Sequence, residues 1–123
     1  MDKPYKLLII DDEAEILATF NNFFREKKYD VLSASNGLDA LKLIESEEEG
    51  FDLIVTDLVL PNIGGTAIIK IAKKKWPEMP IIAMTGWGEH PQALAREAQA
   101  DLVLNKPFDL FTLEQNIIEL IEK

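Results

Sequence analysis

The stretch Leu53-Ile54-Val55-Thr56-Asp57-Leu58-Val59-Leu60-Pro61, residues 53–61, decides the fold. Its opening apolar run does not alternate with polar residues, as a strand with one wet face would, so it reads as a strand covered on both faces. Such strands belong to parallel sheets. Three other runs have the same character: Leu7-Leu8-Ile9-Ile10, Ile81-Ile82-Ala83-Met84 and Leu102-Val103-Leu104. Val31 to Ala34 is a weaker fifth strand, ending at Ser35-Asn36-Gly37.

Between these runs the hydrophobic period becomes helical. Ile16, Leu17, Phe20, Phe23 and Phe24 share one face, as do Leu38, Leu41 and Ile44. A third helix is predicted over Thr66 to Lys75, with Ile68, Ile69 and Ala72 inward and Pro77 as its stop. A fourth begins near His90, with Pro91 in the first turn. The last carries Leu110, Leu113, Ile117, Leu120 and Ile121 inward. Asn36-Gly37 could mark a hairpin, but helical spacing follows it, so it reads as a strand-to-helix turn. Five alternations of strand and helix with short connections predict a doubly wound α/β fold, a parallel sheet between two helix layers.

At 123 residues, 47% hydrophobic and 28% charged, the chain fits one domain spanning residues 1–123. Thirteen basic against twenty-two acidic side chains leave a net charge of −9, which disfavours direct nucleic-acid binding. Without cysteine there is no disulfide framework, thiolate nucleophile or thiolate metal site. No apolar run approaches the roughly 18 residues of a membrane span, and Met1 to Tyr5 lead into no signal-peptide core. The expectation is a cytoplasmic protein without membrane association. Repeats and linkers are absent, and no output domain is expected within these residues.

In open parallel sheets, ligands bind beyond the carboxyl ends of the strands. Those ends carry Asp11-Asp12, Asp57, Thr85 and Lys106, scattered along the sequence yet expected on one rim. Each has an ordinary alternative: Asp11 or Asp12 as N-cap of the helix starting near Ala14, Asp57 as a loop acid, Thr85 as a turn residue, Lys106 as a solvated cation. Their joint arrangement favours a site. Two carboxylates about 4 Å apart repel by roughly 4 kcal/mol at an effective dielectric near 20, so the cluster needs cations. Lys106 offsets one charge, and the remaining oxygen-only environment suits Mg²⁺. A carboxylate held against a divalent ion and a lysine is well placed to accept a phosphoryl group.

At the strand ends, Asp11-Asp12, Asp57 to Pro61 with Gly65, Thr85-Gly86 and Lys106-Pro107-Phe108 stand in order. Over its whole length the chain resembles the receiver domains of two-component response regulators, of the same kind as the chemotaxis response regulator. The resemblance implies a flavodoxin-like sheet in the order 2-1-3-4-5 with five helices. It implies Asp57 as phosphoacceptor, with Asp12, Asp57 and the backbone carbonyl of Val59 ligating Mg²⁺ and Asp11 assisting directly or through water. Thr85 and Lys106 would each bind a phosphoryl oxygen, and the Lys106–Pro107 bond would be cis. The phosphodonor would be a histidine kinase or phosphotransfer protein. The fourth and fifth helices and fifth strand would form the face for an effector or a second copy. Such a domain catalyses its own phosphorylation and dephosphorylation without turning over a foreign substrate.

The chain departs from the family pattern in four places. Val103 replaces the usual aromatic three residues before the lysine, Gly86 follows the threonine, and bulky Trp87 comes next. Val59 offers no polar group to guide an attacking water, so together with Trp87 it suggests slow self-dephosphorylation. Two other readings compete: a docking module that is never phosphorylated, and an aspartate-nucleophile phosphatase. The second generally needs an acid two residues after the nucleophile, where this chain has Val59. Flavin binding is disfavoured by the two acids in the first loop. His90, the acidic run Glu45 to Glu49 and Lys73-Lys74-Lys75 read as solvent-facing, and Trp76 as packing under Pro77.

Overall fold

The computed structural model describes residues 3–86 and 99–123. In chain order the elements are β1 (Lys6–Ile10), α1 (Ala14–Glu26), β2 (Asp30–Ala34), α2 (Gly37–Ser46), β3 (Leu53–Asp57), α3 (Gly65–Lys75), β4 (Ile81–Thr85), β5 (Leu102–Asn105) and α4 (Leu110–Ile121). The helix expected near His90 lies outside the described residues, as do Trp87 and His90, so α4 is the fifth helix of the sequence reading. All strand pairs are parallel, in the order β2-β1-β3-β4-β5. The doubly wound fold is as expected.

Successive strand residues point to opposite sheet faces, which divides the apolar runs between two layers. On one side Leu8, Ile10, Ile54, Ile81 and Ala83 pack with Ala40, Ile44, Ile68, Ile69 and Ala72 of α2 and α3. On the other, Leu7, Ile9, Leu53, Val55, Ile82 and Met84 meet Phe20 and Phe24 of α1 and Leu113 and Ile117 of α4. β5 departs from the expectation of a strand covered on both faces: as an edge strand, it is only half-buried from Leu102 to Leu104. Leu38 also departs, being 46% exposed at the start of α2 while Ala40 and Ile44 carry the buried face.

Asn36 caps α2, its side-chain oxygen accepting from the Asp39 N–H at 2.8 Å, as a strand-to-helix turn requires. Lys73 and Lys75 are not merely solvent-facing. Lys75 Nζ donates to the Ile44 and Glu47 carbonyls, each at 2.7 Å, satisfying free acceptors at the end of α2. Lys73 bridges the Met79 carbonyl and the Asp101 carboxylate, both at 2.8 Å. Glu47, within the acidic run, pairs with Lys6 at 2.7 Å. Trp76 packs edge-on against Phe51, with ring centroids 5.8 Å apart. Among the described residues no helix is long and apolar enough to cross a membrane.

Two glycines let loops close under the carboxyl edge of the sheet. A Cβ on Gly37 would lie 2.1 Å from the Ile63 carbonyl oxygen, and one on Gly65 would lie 2.0 Å from that of Asp57. Gly64 differs, since a Cβ there meets nothing closer than 3.9 Å and its φ is −67°. Gly65→Ala is expected to lose about 3 kcal/mol in urea unfolding or to prevent folding, because backbone is the obstacle. Gly64→Ala, at the open N-cap position of α3, should cost no more than about 1 kcal/mol.

Candidate functional site

Strand register builds the site. Ile10 pairs with Thr56, so the residues that follow, Asp11 and Asp57, leave neighbouring strands at the same level. Asp57 pairs with Met84 and Thr85 with Asn105, which brings the ends of β4 and β5 to that rim. The Lys106 N–H donates to the Thr85 carbonyl at 2.8 Å, and the Lys106–Pro107 peptide is cis, as the resemblance implied.

From this position Lys106 Nζ donates to Asp11 Oδ2 at 2.8 Å and to Asp57 Oδ2 at 2.9 Å. Asp11 is fully buried and Asp57 is 6% exposed, while Asp12 is exposed at the rim. Oxygens of Asp11, Asp12 and Asp57 all lie within 4.8 Å of one another. Asp57 Oδ1 accepts from the Val59 N–H at 3.1 Å, and the Asp57 carbonyl accepts from the Thr56 hydroxyl at 2.9 Å. The Val59 side chain is 57% exposed.

Neither Asp11 nor Asp12 is the N-cap of α1; that position is Glu13, without a side-chain cap bond. Asp11 instead holds the turn leading into the helix, its Oδ1 accepting from the Glu13 N–H at 2.9 Å. Burial pushes the Asp11 carboxyl above the usual range, against the opposing effects of Lys106 and the Glu13 N–H. For Lys106 burial would lower the pKa, but the hydrogen bonds to Asp11 and Asp57 outweigh it and raise it. Lys106 therefore stays charged.

Two residues join the site that the sequence reading did not single out. Glu13 Oε1 lies 3.5 Å from Lys106 Nζ, a solvent-exposed fourth acid. Its place directly after Asp11-Asp12 was a usable signal. Asn105 accepts the Thr85 hydroxyl through Oδ1 at 2.8 Å, a pairing that depends on strand register and leaves no local trace. Thr85 is thus buried at the expected rim, with its proton directed to β5.

Residues 7–118 match the family model of the response regulator receiver domain. The chain belongs to this family. It is a receiver domain of the two-component response regulator type, and its Asp11, Asp12 and Asp57 pocket fits a phosphoacceptor site. It is 36% identical over 104 residues to the alkaline phosphatase synthesis transcriptional regulatory protein PhoP of Bacillus subtilis, covering 84% of this chain and 42% of that protein. Similarity to the response regulator SaeR of Staphylococcus aureus is 30% over 118 residues, 95% of this chain and 50% of that one. The receiver domain therefore spans half or less of each of these curated relatives. Among solved structures, a response regulator receiver domain protein from Clostridium thermocellum superposes with a TM-score of 0.87 at 30% identity, covering 96% of this chain and 94% of that chain. The response regulator TrrA of Thermotoga maritima, solved in complex with Mg²⁺ and BeF, gives 0.82 at 28%, covering 94% of this chain and 98% of that chain.

Removing the ammonium leaves buried carboxylates unpaired, so Lys106→Met should lose about 3 kcal/mol at neutral pH in chelator, much of it returning when Asp57→Asn is added. A raised carboxyl pKa means that ionised Asp11 costs stability above that value, and the cost vanishes as pH falls toward the ordinary 3.8. Urea midpoints across pH should therefore show a gain on mild acidification that Asp11→Asn lacks.

Proposed function

We propose that this receiver domain, taken as one unit over residues 1–123, accepts a phosphoryl group on Asp57 from the phosphohistidine of a kinase or phosphotransfer protein. The observation that carries this reading is the Lys106 ammonium bonded at once to Asp11 and Asp57, beside exposed Asp12. A sensor kinase, CckA of Brucella abortus, is 29% identical to the chain over 120 residues, 95% of this chain and 12% of that protein, which supports a kinase as the partner.

The residues present fit Mg²⁺. Their donors are all oxygens, and three carboxylates against one lysine leave two negative charges for a divalent ion. Asp12, Asp57 and the Val59 carbonyl would hold the ion, with Asp11 assisting directly or through water. When bound, Mg²⁺ supplies positive charge to the oxygens of the transferring phosphoryl group.

The chain's own residues do the rest. An Asp57 carboxylate oxygen forms a bond to phosphorus as the donor's P–N bond breaks, and the electron pair leaves with the imidazole nitrogen. The product is an acyl phosphate. Lys106, held charged 2.9 Å from Asp57 Oδ2, binds one phosphoryl oxygen, and the Thr85 hydroxyl binds another. No foreign substrate is turned over: Val59 stands where the aspartate-nucleophile phosphatase reading needs an acid. β5, α4 and the helix expected near His90 from the sequence would carry the change to an effector or a second copy, in the cytoplasm.

Incubation with Mg²⁺ and a small phosphodonor should add one phosphoryl group in intact-mass spectra. Chelator or Asp57→Asn should abolish the adduct, and an adduct persisting in Asp57→Asn would overturn the assignment. Because exposed Val59 cannot orient water, Val59→Asn should release phosphate several-fold faster in a dephosphorylation time course.

A further inference from the structure

Thr85 and Asn105 are register partners on adjacent parallel strands, so their side chains leave the same face of the sheet side by side. Thr85 is fully buried, and its hydroxyl donates to Asn105 Oδ1 at 2.8 Å. A threonine hydroxyl has one proton to donate. In this structure that proton is committed to β5, whereas the lysine donor of the same rim is already committed to Asp57.

We infer that Asn105 is a positioning residue acting through Thr85: its side-chain carbonyl competes with a phosphoryl group on Asp57 for the single Thr85 proton. The inference rests on the proposed role of Asp57. Val103, two residues earlier on the same strand, has only an aliphatic side chain to offer β4. Asn105 supplies a side-chain hydrogen bond between the two strands at the site end of β5. Because Asn105 is exposed, water can take over its amide oxygen once the hydroxyl leaves, and the buried Thr85 transfers its proton to the new acceptor without being left unsatisfied. The latch is therefore weak enough to release. Its state also alters an exposed amide on the edge strand, so it is readable from outside.

The test is a titration of the full chain with beryllofluoride, a phosphoryl mimic, at saturating Mg²⁺, followed by ¹⁹F and ¹H–¹⁵N NMR. Losing one neutral hydrogen bond with an exposed acceptor corresponds to about a 2- to 10-fold change in an equilibrium. Asn105→Leu should tighten beryllofluoride binding by that factor, and so should Asn105→Ala, a smaller change on an exposed position. Asn105→Asp, which keeps an acceptor in place, should not tighten it. In a Thr85→Val background, Asn105→Leu should have no effect. Unchanged affinity in both Asn105→Leu and Asn105→Ala, or equal tightening with and without the Thr85 hydroxyl, would overturn the inference while leaving the Asp57 reading intact. Failure of beryllofluoride to bind the parent, or equal binding to Asp57→Asn, would overturn both.

Discussion

The structure turns on one ammonium group placed between two buried carboxylates. Asp11 and Asp57 are held out of water at the ends of adjacent strands, where their mutual repulsion would reach roughly 4 kcal/mol at 4 Å even at an effective dielectric near 20. Lys106 makes this tolerable with hydrogen bonds of 2.8 and 2.9 Å. The compensation is incomplete, since burial still drives the Asp11 carboxyl above its usual range. That residual cost suits the proposed function, because the charge left over is what a divalent cation and a phosphoryl group would use. Stability and chemistry draw on the same atoms in opposite senses.

Everything around the ammonium serves to keep it there. Two apolar layers fix the five strands, and the parallel order brings their carboxyl ends to one rim. Gly37 and Gly65 allow backbone to approach backbone, which presses the loop carrying Val59 against α2 and α3. The Val59 N–H then orients Asp57 Oδ1 while Lys106 orients Oδ2. Against these charge-assisted bonds, commonly about 1.5–3 kcal/mol each, the neutral Thr85–Asn105 bond at the half-buried edge is the softer contact, about 0.5–1.5 kcal/mol. Of these side-chain contacts, the Thr85–Asn105 bond is the one that a rearrangement at Asp57 would break at the smallest cost.

Much of the fold was legible because its signals are local. Non-alternating runs such as Leu53-Ile54-Val55 and Ile81-Ile82-Ala83-Met84 declare strands with two dry faces, and the spacing of Ile68, Ile69 and Ala72 declares a buried helical stripe. What failed was local evidence applied to questions of position. Leu38 has the right spacing for the core but sits at the exposed start of α2, and Leu102 to Leu104 look covered yet occupy an edge. Lys75 and Trp76 find partners on α2 and at Phe51, which no nearby residue announces.

By itself the sequence determined the chemistry available: three acids, a hydroxyl and a lysine, each placed directly after a strand-forming run. It also determined the two-layered sheet on which they stand, since hydrophobic periodicity is written residue by residue. Only the tertiary structure decided which of these groups touch. It joined Lys106 to two acids rather than one, added Glu13 at the rim, and turned the Thr85 proton toward Asn105. The physical reason is that contact between distant residues depends on strand order and register, and those are set collectively by packing both faces of the sheet.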